Sequence, residues 1–191
     1  MKHKAWHYIK NIIFYGLVIL LGGYILIEAF LPSQTMNIYG YKSYVVVSAS
    51  MEPDIMINDL IIIVKSDAED LEAGDAISFY TYLPTNQKDD DGNTIYVRSV
   101  VTHYLREIQA DGDSFIYKTQ GAIANPGVYD DWNDMNGEPT DIRYDDIIGK
   151  VGFVIPFIGI VMKLFYNPIL LLLVSVNIFI IVILIKVIKK K

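Results

Sequence analysis

Two long apolar runs bracket the chain. Ile12 to Leu31 is 20 residues with one charge, Glu28, near its C-terminal end, and Pro168 to Ile185 is 18 residues with none. A helix needs about 20 apolar residues to cross the hydrocarbon core of a bilayer, so each run predicts a transmembrane helix. Between them the pattern changes character. Val45-Val46-Val47 and Leu60-Ile61-Ile62-Ile63-Val64 are short, β-branched and bounded by turn formers, which reads as buried strand. Ala76–Tyr82 and Thr94–Val101, rich in Val, Ile, Thr and aromatic residues, favour strand as well.

Turn chemistry separates these runs. Gln87 to Asn93 contains three consecutive aspartates and Asp91-Gly92-Asn93, a connection between two strands. Asp111-Gly112-Asp113 predicts a hairpin joining Tyr104–Ile108 to Ser114–Thr119. Ala122 to Thr140, dense in Asn, Asp, Gly and Pro, reads as a long loop before Ile147–Val154 returns to strand. No sustained helical periodicity occurs outside the two apolar runs. The expected fold class is mainly β: a small all-β domain with one N-terminal and one C-terminal transmembrane helix.

Charge orients this arrangement. Lys2, Lys4, Lys10, Lys186, Lys189, Lys190 and Lys191 flank the apolar runs with no acidic residue beside them. The segment from Pro32 to Asn167 holds 9 of the 16 Lys and Arg and 21 of the 22 Asp and Glu, a net −12. Excess Lys and Arg marks the cytoplasmic side. The expected layout is a cytoplasmic N-terminus (1–11), a membrane helix (12–31), an extracytoplasmic domain (32–167), a second membrane helix (168–185) and a basic cytoplasmic tail (186–191). This makes a two-pass protein of the plasma membrane. A cleaved signal peptide is the competing reading of the first run. Its apolar core is longer than a usual h-region, and Leu31-Pro32-Ser33-Gln34 offers no small-x-small site, so a retained anchor is expected.

Composition narrows the function classes. A mean hydropathy of +0.32 and 52% hydrophobic residues fit a membrane protein, and the acidic domain makes nucleic acid an improbable partner. The chain has no cysteine, which excludes a disulfide framework, a Cys nucleophile and thiolate metal ligation. Aromatic residues near the run ends, Trp6, Phe14 and Tyr15 on one side and Tyr24, Phe30 and Tyr166 on the other, suit the two membrane interfaces.

The segment with chemistry in it is Ser48-Ala49-Ser50-Met51-Glu52-Pro53, directly after a strand. A serine there is a nucleophile only if the fold supplies a base beside it, and is otherwise a turn residue. S-x-S-M-x-P resembles the nucleophile box of type I signal peptidases. Further segments resemble that family's boxes in order: Gly74-Asp75-Ala76-Ile77, Thr102-His103-Tyr104-Leu105, Thr119-Gln120-Gly121, Ile147-Ile148-Gly149-Lys150-Val151 and Ile155-Pro156-Phe157-Ile158-Gly159. The threonine–histidine box is similar to that of the endoplasmic-reticulum and archaeal-like Ser–His branch, also found in some bacteria. The resemblance covers roughly Tyr44 to Val161. It implies Ser50 as nucleophile, with the Ser48 hydroxyl and the Ser50 N–H as oxyanion donors. Met51 reads as a packing residue, Pro53 as fixing the turn, and Asp75 as tying down its glycine turn.

The base separates the branches. Tyr96-Val97-Arg98-Ser99-Val100 superficially resembles the strand that carries a lysine base in typical bacterial members. A guanidinium does not deprotonate in proteins, so Arg98 is excluded as a base. Of the three histidines, His3 and His7 fall on the cytoplasmic side, leaving His103, whose side-chain type titrates near neutral pH. Lys65 and Lys118 lie in no matching box. A histidine base needs a carboxylate to hold its tautomer. Here the sequence departs from the family, with Ala122 where the first family aspartate stands. Asp131 is the expected partner, followed by Asp130, with Asp134 and Glu138 also in range.

The resemblance implies a membrane-bound serine endopeptidase that removes signal peptides from exported preproteins. It implies no metal or organic cofactor. Signal peptides and membrane lipid are the expected partners, together with a transient contact with the export machinery. Two alternatives remain open on sequence: a non-catalytic or degenerate extracytoplasmic binding or assembly module, and a peptidase dedicated to a few surface-fibre or pilin substrates. The topology is testable at once. Reporter fusions should place both termini inside and residues 32–167 outside; protease resistance of the central domain in intact, wall-stripped cells would overturn this layout.

Overall fold

A computed structural model describes residues 2–161 and 168–188. Helix α1 (Lys2–Phe30) leads into a five-residue helix, α2 (Thr35–Tyr39), that the sequence pattern does not announce. The strands follow: β1 (Tyr41–Val45), β2 (Leu60–Val64), β3 (Ala76–Lys88), β4 (Thr94–Asp111), β5 (Ser114–Gln120), β6 (Trp132–Asn133), β7 (Pro139–Thr140) and β8 (Ile147–Ile155). A last helix, α3, spans Pro168–Ile188. Among the described residues, Trp6–Phe30 is a helix long and apolar enough to cross a membrane, with none of it buried by the rest of the protein. Tyr166 and Lys189–Lys191, which entered the topology argument, lie outside the described residues.

All strand pairs are antiparallel, in the order β1-β2-β8-β3-β4-β5, with β6 pairing β3 and β7. The expected strands Thr94–Val101 and Tyr104–Ile108 are one strand, β4, which continues to the hairpin turn at Gly112. Strand β1 starts four residues earlier than the valine run, because Tyr41, Lys42 and Ser43 find partners along β2. The presumed loop Ala122–Thr140 contains the small β6–β7 ladder, held to β3 at Tyr82 and Asn133. Such two-residue strands carry no periodicity, so pattern alone does not show them.

The sheet buries two apolar clusters. Leu71, Ile77, Phe79, Leu105, Tyr117 and Ile142 form one, with Trp132 packed against it. Met51, Ile55, Ile61 and Ile63 form the other, with Tyr44, Tyr104 and Ala122 at its margin. In β2 the period-two rule puts Ile61 and Ile63 inside while Leu60, Ile62 and Val64 are half-buried. Met51 and Ile55 enter the same cluster from the turn that carries Ser50, so core packing fixes that turn.

Helix α1 is tied to β1. Lys42, almost fully buried, pairs with Glu28 at 3.3 Å and donates to the Pro32 carbonyl at 2.8 Å. Tyr24 stacks on Tyr41 with ring centroids 5.3 Å apart and meets Tyr39 edge-on. The one charge in the first apolar run is thus a structural partner, and Tyr24 packs on protein where a lipid-interface position was expected.

The closing boxes have packing reasons. A Cβ on Gly149 would overlap the Val64 carbonyl oxygen, because β8 passes close against β2 there, beside a register shift in its pairing with β3. Gly159 donates to the Asn58 carbonyl at 2.8 Å, and a Cβ there would sit 2.6 Å from the same oxygen. Gly149→Ala should therefore lower unfolding free energy by about 1–3 kcal/mol, the usual cost of overpacking, read by denaturant or thermal melting. An unchanged midpoint would show that β8 gives way freely.

Candidate active site

Three segments converge: the turn after β1, the middle of β4 and the chain leaving β5. Ser48 and Ser50 sit in the turn with their hydroxyl oxygens 3.4 Å apart. The turn is held from several directions. Glu52 N–H donates to the Ala49 carbonyl, Ile55 N–H to Met51, and Tyr104 Oη to Asp54 at 2.8 Å. Burial and the Asp54 carboxylate push the Tyr104 phenol up, so it stays a donor. Met51 is buried and the peptide bond before Pro53 is cis.

His103 projects from β4 one residue before Tyr104 and is largely buried. Its Nδ1 lies 2.7 Å from Asp130 Oδ2. Asp130 in turn accepts from Thr119 Oγ1 at 2.8 Å, and Thr119 accepts from Trp132 Nε1 at 2.9 Å. Burial alone pushes the Asp130 carboxyl up. The bond from His103 and its charge, with bonds from Thr119 and the Gly121 backbone, outweigh this and hold it below the usual carboxylate range. An ionised carboxylate only accepts, so Nδ1 carries the hydrogen. In the neutral ring Nε2 is left as the acceptor, the tautomer a general base requires.

Ser50 and His103 share one wall, Gly121. Ala122 N–H donates to the Ser50 carbonyl at 2.9 Å. A Cβ on Gly121 would lie 2.8 Å from that carbonyl oxygen and 3.8 Å from His103 Nε2. The serine segment and the imidazole therefore come together against this residue only because it has no side chain. The Ser50 hydroxyl bonds to Ser48 and not to His103.

A cleft of about 340 Å³ opens beside the serines. Val45, Val46, Val47, Ser48 and Ser50 line one side, and Leu83, Ser99, Val100, Val101 and Thr102 of β3 and β4 line the other, over a floor that includes Met51, Ile55 and Ile61. The lining is mostly aliphatic, and it is flanked by the extended segment that follows the β1 pairing.

Of the acids in range, Asp130 is the one bonded to His103, which reverses the order expected from sequence. Asp131 is exposed, because consecutive residues of an extended segment point to opposite sides. Asp134 accepts from the backbone of Asn136 and Glu138 at the β6–β7 turn, and Glu138 belongs to that turn. Lys118 pairs with Asp141 at 2.6 Å, Lys65 is exposed, and the Arg98 guanidinium lies 3.9 Å over the Tyr80 ring. Asp75 accepts from Glu72 N–H and meets Lys150, while its carbonyl takes Leu105 N–H, so it ties the Gly74 turn to β4. Thr119 and Trp132 were not singled out as site residues. Thr119 lay inside a matched box without a role, and Trp132 carried no signal beyond standing next to two aspartates.

No family model matches the chain. Over 85 residues it is 33% identical to signal peptidase I W of Bacillus subtilis (strain 168), a match covering 44% of this chain and 37% of that relative's length. The likeness is to a signal peptidase.

Asp130 gives the site an acid signature. A carboxyl with a depressed folded-state pKa stabilises the fold fully above its unfolded value, and that stability fades as pH falls through the folded value. In the acid range, wild type should exceed Asp130→Asn in stability above the ordinary carboxyl value of 3.8, and the margin should shrink as pH falls below it. Parallel melts across an acid series measure this. A margin already vanishing near neutral pH would show that the carboxylate is not held.

Proposed function

We propose that this protein is a membrane-anchored serine endopeptidase that removes signal peptides from exported preproteins, in the Ser–His branch of the type I signal peptidases. The observation that carries the reading is the imidazole. His103 is oriented through Nδ1 by Asp130 and turns Nε2 toward the Gly121 wall against which Ser50 is seated.

In this reading, rotation of Ser50 about χ1 trades the Ser48 contact for His103. Ser50 Oγ attacks the scissile carbonyl carbon while Nε2 takes its proton. The freed Ser48 hydroxyl and the Ser50 N–H then face the oxyanion, the kind of preorganised donor set that lowers acyl-transfer barriers most. Asp130 stabilises the imidazolium without taking its proton. The imidazolium protonates the leaving amine, the carbon–nitrogen bond breaks, and water activated by the same nitrogen hydrolyses the acyl-enzyme.

The aliphatic cleft suits small apolar side chains of an extended substrate, with main-chain pairing along Val45–Ser48 supplying affinity. In the proposed setting α1 and α3 both cross the plasma membrane, both termini are cytoplasmic, and the site faces outward where exported chains emerge. Lipid and a transient contact with the export machinery complete the surroundings.

Mutation tests the assignment. With a purified preprotein, Ser50→Ala and His103→Ala should cleave nothing measurable; Ser50→Ala should keep wild-type melting, and His103→Ala should fold with a lower midpoint because Asp130 loses its partner. Ser48→Ala should lose about 10²–10³-fold in rate, the cost of one oxyanion donor. Lys65→Ala and Lys118→Ala should stay active. Cleavage by Ser50→Ala at the wild-type rate would remove Ser50 as the nucleophile, a wild-type protein that cleaves nothing would favour the non-catalytic binding module, and loss at Lys65 or Lys118 with an active His103→Ala would move the protein out of the histidine branch.

A further inference from the structure

Asp130 is an unguarded choice of orienting group. It sits in a segment between β5 and β6 dense in Gly, Asn and Pro, and its side chain is about one-fifth exposed. A cavity of about 430 Å³ reaches Asp130, Thr119 and Trp132 and is open to water. Lys118, Asp131 and Asp141 also line it, so both competing charges and competing hydrogen-bond donors stand near the carboxylate. Burial alone therefore does not fix the orientation of this carboxylate.

Two side chains hold the carboxylate. Thr119 sits at the end of β5, almost fully buried, and meets Asp130 twice: its carbonyl takes Asp130 N–H at 2.9 Å and its hydroxyl donates to Oδ2 at 2.8 Å. That hydroxyl has one hydrogen. The Trp132 indole, which can only donate, points its N–H at the Thr119 oxygen at 2.9 Å and so leaves that hydrogen for Asp130. The indole is itself set by the core, edge-on to Phe79 at 5.2 Å, and its other face is near the His103 ring at 5.5 Å. The polarity of the whole row is thereby fixed from the core outward.

We infer that Thr119 and Trp132 are positioning residues that lock the Asp130 carboxylate in the rotamer that receives His103 Nδ1–H. The inference rests on the peptidase reading for its rate consequence and on the row of hydrogen bonds for its structural one. Oδ2 takes both the Thr119 and the His103 hydrogens, so neither bond can move without the other. Chain-specific chemistry at Trp132 thus reaches the base through two intervening side chains without touching substrate.

The test uses the full-length protein in detergent micelles with a preprotein substrate. Thr119→Val keeps the shape and removes the hydroxyl. It should lower kcat about tenfold or more, the scale of one hydrogen bond to a charged group, with KM within about twofold. Thr119→Ser should restore most of kcat, and Trp132→Phe should show a smaller loss in the same parameter. Placed on Asp130→Asn, Thr119→Val should add no further loss, because residues acting through one another are not additive. The second measurement needs no activity: the downfield proton resonance of His103 Nδ1–H should be present in wild type, absent in Asp130→Asn, and broadened or lost in Thr119→Val. A wild-type kcat in Thr119→Val with the resonance intact overturns the inference, as does a loss that adds in full to that of Asp130→Asn. If Thr119→Val does not fold, Trp132→Phe and the resonance decide alone. If wild-type protein cleaves no preprotein the peptidase reading fails, and the resonance still judges the row.

Discussion

The site depends on one backbone contact, the bond from Ala122 N–H to the Ser50 carbonyl. It draws the chain leaving β5 against the turn that follows β1, and it does so at a glycine whose missing side chain leaves room for His103 on the same wall. Everything with chemistry lies within a few residues of that junction. Ser48 and Ser50 stand on one arm, Thr119 and Gly121 on the other, and β4 contributes His103 from between. Gly121, beside the bond, is buried, so the two segments meet there with no room to spare.

The surrounding fold reinforces the junction with groups of two kinds. Apolar side chains of the serine turn, Met51 and Ile55, are buried with Ile61 and Ile63, so displacing Ser50 means opening a core. Polar side chains then set orientation: Tyr104 holds Asp54 on one side of the histidine, and Thr119 and Trp132 hold Asp130 on the other. Such bonds contribute modestly to stability when made and cost more when a buried partner is left alone. Their main effect is to choose one arrangement among several that packing alone would permit.

Helix α1 joins the same framework. Glu28 and Lys42, with the Tyr24–Tyr41 stack, couple the end of α1 to the first residues of β1, the strand that runs on into the serine turn. A buried ion pair is weak support for stability, but it is strict about geometry. Height above a bilayer crossed by α1 would therefore be transmitted to the cleft through rigid elements.

Much of this was legible in the sequence, for a physical reason. Strand periodicity, turn residues and an apolar run long enough to span a bilayer are local properties, and they marked most of the sheet and the first helix. The resemblance of their motifs to signal peptidase boxes brought forward Ser48, Ser50 and His103, since a box is a local run of residue types. Two features were not local. The choice of Asp130 over Asp131 turns on which side of an extended segment faces the imidazole, and adjacent residues of identical type differ only in that. The service of Thr119 and Trp132 depends on the β6–β7 ladder folding back onto β3, a pairing too short to have a period. Residue type determined which groups the site has to draw on; the register of distant strands decided which of them meet.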